Sequence, residues 1–135
     1  METIDQLRHY LRNNGYSQFL TCDKPTCVGV YDLRLEKSGS DWRVFETERG
    51  QEVATYAKTL DQGEASRAFL QIASTRIYHL KTFKDAERIA KFEAVLEAAD
   101  IPFERNDVPY EGELRVFVTG SNLLKAQHAA ASFGV

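Results

Sequence analysis

The chain has 135 residues, 43% of them hydrophobic and 27% charged, with a formal net charge of −3. That is the length of one ordinary domain, and eight Phe, six Tyr and Trp42 supply bulk for a core, which excludes an intrinsically disordered chain. The acidic balance argues against broad nucleic-acid binding, and no apolar run is long enough for a transmembrane helix, so neither nucleic acid nor membrane is expected as a partner.

The first predicted helix opens on a capping box, Thr3-x-x-Gln6, and places Ile4, Leu7 and Leu11 on one face. Asn13-Asn14-Gly15 ends it, with Gly15 suited to a left-handed stop. Residues 21–26 read as a loop around Pro25. Alternation over 28–36 predicts a strand, with Tyr31, Leu33 and Leu35 on one face and Asp32, Arg34 and Glu36 on the other. After a turn at 37–41, a strand over 42–47 puts Trp42 and Val44 together on the core face. Glu48-Arg49-Gly50-Gln51 reads as a hairpin turn leading into a third strand over 52–58.

Asp61-x-x-Glu64 caps a helix over about 62–74 with an apolar stripe of Ala65, Ala68, Phe69 and Ile72. A strand over 77–82 and a helix over 85–99 follow, the helix facing Ile89, Phe92, Leu96 and Ala99 inward. Ile101-Pro102-Phe103 begins a further strand; 106–113 is a polar loop; Leu114, Val116 and Val118 alternate in a last strand. Gly120-Ser121 opens the final helix, which runs toward Phe133. The order αβββα-βαββα predicts a single α+β domain over 1–135, a largely antiparallel sheet with packed helices. The second half has the order of a partial ferredoxin-like unit.

Chemistry-bearing motifs are scarce. Cys22 and Cys27 lack a second close ligand pair, and His9, His79 and His128 are scattered, so no metal or other cofactor is expected. The opening residues carry no basic segment followed by an apolar run, which makes the cytoplasm the expected compartment and the cysteines reduced thiols. Nucleophile elbows and phosphate loops are absent, and Gly120-Ser121-Asn122 reads as a tight strand-to-helix connection with a Ser cap. Glu46 with Glu48, and Glu93 with Glu97, read as solvated faces, so no enzyme is expected.

One stretch departs from the average. Residues 93–113 hold seven carboxylates, Glu93, Glu97, Asp100, Glu104, Asp107, Glu111 and Glu113, against the single base Arg105, a formal charge of −6. The remaining residues therefore sum to +3. A focused negative field selects basic partners, and Pro109-Tyr110 adds an aromatic of the kind enriched at interface hot spots.

Two segments carry a resemblance. The run Trp42-Arg43-Val44-Phe45-Glu46-Thr47-Glu48-Arg49-Gly50-Gln51, with Asp61-Gln62-Gly63-Glu64-Ala65-Ser66-Arg67-Ala68-Phe69-Leu70, resembles immunity proteins of bacterial polymorphic toxins, including contact-dependent growth inhibition and Rhs-type systems. Ala99-Asp100-Ile101-Pro102-Phe103-Glu104-Arg105-Asn106-Asp107-Val108-Pro109 and Arg115-Val116-Phe117-Val118-Thr119-Gly120 are similar to the second half of such proteins, extending the likeness over roughly 27–125. The segment 52–56 departs from the polar, basic stretch that such proteins carry there. The resemblance implies tight binding to one cognate toxin, often a nuclease, with no catalytic residues. On that expectation the toxin contacts are Glu97, Asp100, Glu104, Asp107, Tyr110, Glu111 and Glu113, with a second patch at Glu46, Glu48 and Arg49. The alternative expectation is a small regulatory ligand-binding module acting as a dimer; the sequence leaves homo-oligomerisation open.

Overall fold

Helix α1, Ile4–Asn13, starts where the capping box requires it: Thr3 Oγ1 accepts from the Gln6 amide at 3.1 Å, and Gln6 Oε1 accepts from the Thr3 amide at 3.2 Å. It ends on a left-handed Gly15 at φ 93°, which lets the Tyr16 amide donate to the Leu11 carbonyl at 3.0 Å. The computed structural model describes residues 1–106 and 111–133. The chain is α+β, as its element order predicts, and its elements fall into two compact units, Met1–Ser74 and Thr75–Val135.

In the first unit five strands form an antiparallel meander in sequence order: β1 Leu20–Cys22, β2 Cys27–Val30, β3 Leu33–Ser38, β4 Asp41–Glu48 and β5 Gln51–Thr59. Three strands were expected. The predicted 28–36 strand is split by a two-residue turn at Tyr31-Asp32, with Val30 opposite Leu33. Tyr31 takes φ 51° at the first turn position, which glycine normally occupies, so the sequence carried no turn signal. Tyr31 is consequently 48% exposed instead of sharing the buried face of Leu33 and Leu35. Arg49 and Gly50, at φ 53° and 79°, form the expected β4–β5 turn.

Register decides the core. Val28 lies opposite Leu35, Val30 opposite Leu33 and Leu35 opposite Val44, which puts the apolar residues on one face, all at most 1% exposed. Trp42 extends that face at 7% exposure, with the Lys37 ammonium 5.6 Å from its ring centroid. Helix α2, Gln62–Thr75, buries Ala65, Phe69 and Ala73. Asp61 Oδ1 caps it, accepting from the Gly63 and Glu64 amides at 2.8 and 3.2 Å.

The cysteines correct the sequence reading. Cys22 and Cys27 are joined as a disulfide, not held as two thiols. The hairpin of β1 and β2 brings their Cα atoms to 6.1 Å, within bridging range, and β1 is the strand that the sequence did not announce. The approach is close enough that a Cβ on Gly29 would collide with Thr21 Oγ1. A bridge between residues five apart closes a small loop, worth about 2 kcal/mol of unfolded-state entropy.

The second unit contains β6 Ile77–Phe83, α3 Ala86–Ala98, β7 Glu104–Arg105, β8 Leu114–Thr119 and α4 Leu123–Ser132. Its antiparallel sheet runs β6-β8-β7. Val116 and Val118 of β8 are buried with Tyr78, Ile89, Phe92, Leu96 and Leu123. Phe92 lies 5.3 Å from Phe83 and 5.2 Å from Phe133, centroid to centroid. The predicted strand at 101–103 begins only at Glu104, and a 3-10 turn, Gly120–Asn122, precedes α4. Ser121 does not cap that helix; its hydroxyl lies 3.2 Å from Thr119 Oγ1, and Asn122 Nδ2 donates to the same oxygen at 2.9 Å.

Candidate protein-binding face

The acidic stretch lies in the second unit, and only part of its charge is available. Glu93 is held on α3 with its side chain 14% exposed, and Arg105 of β7 donates to both its carboxylate oxygens, through Nε at 2.8 Å and through Nη2. Glu113 is taken by Arg115 at 3.0 Å. Glu97, Asp100, Glu104 and Glu111 are exposed and carry no ion pair among the described residues. Within the described part of this stretch, these four are the expected contacts that remain free for a partner. Asp107 and Tyr110 lie outside the described residues.

Asp100 also has a structural task. It follows α3 at φ 57°, its amide donates to the Glu97 carbonyl at 3.0 Å, and the Ile101 amide returns to Leu96 at 2.9 Å. This is a helix stop in which aspartate takes the position usually given to glycine. Asn106 ties the end of β7 to the start of β8. Its Oδ1 accepts from the Arg115 amide at 2.6 Å, and its Nδ2 donates to the Glu113 carbonyl at 3.2 Å.

The structure adds a feature that the charge count missed. A cleft of about 180 Å³ opens beside Glu104, lined chiefly by Ile77, Pro102, Phe103, Phe117 and Val118. Ile77 is 48% exposed at its rim. An apolar recess beside unpaired carboxylates offers a partner both a dry anchor point and a charged border. Ile77, Phe103 and Phe117 all fall in segments that the sequence predicts as strands, but only the pairing of β6 and β8 brings them to one recess.

The second expected patch belongs to the first unit. Glu46 accepts from the Tyr56 hydroxyl at 2.9 Å, whereas Glu48 and Arg49 are exposed at the β4–β5 turn. The structure thus places the two expected patches in separate units, with the larger set of unpaired acids in the second.

The histidines do not converge on a site. His9 is exposed on α1, 3.0 Å from Asn13 Nδ2, and His128 is exposed on α4. His79 Nε2 lies 2.7 Å from Thr82 Oγ1, and its ring meets Phe117 edge-on at 5.7 Å. No group of three His, Cys, Asp or Glu residues among the described residues could hold a metal ion. Burial first, and the Arg115 guanidinium second, hold the His79 imidazole below its ordinary value of 6.5. Unfolding therefore raises its proton affinity, and stability is lost as pH falls from 6.5 through the lower folded value. His79→Gln should show a smaller drop in Tm than the parent between about pH 7 and about pH 5. Equal drops would assign the pH dependence elsewhere.

No helix among the described residues is long and apolar enough to cross a membrane. Compared with models of protein families, with curated proteins and with solved structures, the chain matches none of them.

Proposed function

We propose that this chain is an immunity protein: it binds and neutralises a cognate bacterial toxin, delivered by secretion or contact, whose catalytic domain is a basic nuclease. The observation that carries the reading is the set of exposed, unpaired carboxylates Glu97, Asp100, Glu104 and Glu111 in the unit that also bears the apolar cleft. A nuclease must present cations to a phosphate backbone. A protein face of opposite sign and comparable reach competes for that surface and speeds encounter with it. The apolar cleft takes a side chain from the toxin and supplies the slow dissociation that neutralisation requires. In this role the chain works in the cytoplasm, where the toxin would act, and needs neither cofactor nor catalysis.

The test is co-expression with the toxin domain encoded immediately upstream of this chain. Cells making both proteins should survive, and the two should copurify at equal stoichiometry. Loss of viability together with no complex on size-exclusion chromatography would overturn the reading.

A further inference from the structure

We propose that the Cys22–Cys27 bridge is a thiol–disulfide exchange site for a small anionic thiol, with the Cys22 sulfur as the point of attack. The two sulfurs differ in access. Cys27, at the start of β2, is 6% exposed, whereas Cys22, at the end of the three-residue edge strand β1, is half-buried. The bridge borders an open cleft of about 560 Å³ whose lining includes Lys24, Arg34, Glu36 and Lys37. Cys22 also lines a second cleft of about 320 Å³ that Cys27 does not reach. Exchange begins at the sulfur that a thiolate can approach, so access selects Cys22.

The charges around the larger cleft select the thiol. Its two carboxylates are already neutralised, Asp23 by Arg12 and Glu36 by Arg34 at 2.8 Å. Lys24 and Lys37 are exposed and make no ion pair among the described residues. The cleft therefore presents uncompensated positive charge, and its volume suits a thiol of small-peptide size carrying carboxylates.

The loop is held independently of the sulfurs. Arg8, 8% exposed on α1, donates through Nη2 to the Lys24 carbonyl at 2.6 Å and the Cys27 carbonyl at 2.7 Å. Its Nε is buried without a hydrogen-bond partner, 3.9 Å from Asp23 Oδ1. These contacts do not use the S–S bond, so breaking it frees the thiols without releasing the loop from α1. In the first step the incoming thiolate bonds to Cys22 sulfur and the S–S bond breaks, leaving Cys27 as a thiolate that takes a proton from water. A second thiol then attacks the small-molecule sulfur of the mixed disulfide. It leaves as the oxidised small-molecule disulfide, and Cys22 departs as a thiol. The net change is reduction of the protein disulfide by two electrons and oxidation of two small thiols to one disulfide.

The probe is glutathione, with the full chain and intact-mass readout. Reduced glutathione should produce an adduct that maps to Cys22. Oxidised glutathione should modify Cys27→Ser at Cys22 and leave Cys22→Ser unmodified at the buried Cys27. An adduct on Cys27, or equal modification of both variants, would overturn the assignment. If the cysteine variants fail to fold, the double variant Lys24→Glu/Lys37→Glu, altered only at exposed positions, still decides. It should react with reduced glutathione about three- to tenfold more slowly, and with the cationic thiol cysteamine faster. Rates that are unchanged, or that fall together for both thiols, would show that the cleft does not select an anion and would refute the proposal.

Discussion

Simultaneous reversal of Glu97, Glu104 and Glu111 to lysine is expected to slow association with the cognate toxin by about 10- to 100-fold at low salt. The three side chains are exposed and unpaired, so the substitutions should leave the fold intact, which circular dichroism checks. Glu93 and Glu113 are left alone because each already neutralises an arginine, and reversing either would set two cations against each other. The effect belongs in the association rate because solvent-exposed charges act at a distance and are screened over about 8–10 Å at moderate ionic strength. Stopped-flow association across a salt series reads it directly: the parent should slow as salt rises, and the variant should lose much of that slope. A variant with the parent's rate and salt slope would move the interface away from the second unit, with the exposed turn at Glu48 and Arg49 the next surface to test.

Phe92→Ala should destabilise the chain by about 3–5 kcal/mol, the range for removing a fully buried aromatic. Phe92 is 0% exposed and packs against both Phe83 and Phe133, which also meet each other at 6.0 Å, so its loss leaves a cavity bordered by two rings that each lose one ring contact. Against a typical domain stability of about 5–15 kcal/mol, that is a large fraction of the total. Urea denaturation should show a lower midpoint at an unchanged slope. A shift below about 1 kcal/mol would mean that α3 and β6 close the gap by moving together.

Legibility varied with how local the signal was. Thr3 with Gln6, Asp61 before α2 and Asp85 before α3 were all identifiable as starts of helices, and each makes its capping bond. A cap depends on residues within one turn, so it reads directly from sequence. Tyr31 hid a turn because an aromatic residue in the left-handed region is set by its surroundings, here a backbone bond to Phe19 and a ring contact at 5.0 Å. β1 escaped notice because three residues are too few for a period, and the disulfide escaped with it. Of the expected binding residues, Glu97, Glu104 and Glu111 were legible as exposed acid. Glu113, expected with them, is spent on Arg115 at 3.0 Å, which a count of charges does not show.

Composition and pattern alone determined that this chain is a folded α+β protein, where its longer helices begin and end, and that its negative charge gathers in residues 93–113. These are properties of local spacing and of counting. Tertiary structure alone decided which acids are spent on arginines and which are free, that an apolar cleft adjoins Glu104, and that Cys22 and Cys27 meet. Apart from Glu113 with Arg115, two residues on, each depends on how strands pair or a helix packs on its sheet, which brings residues together while leaving no trace in the order of the chain.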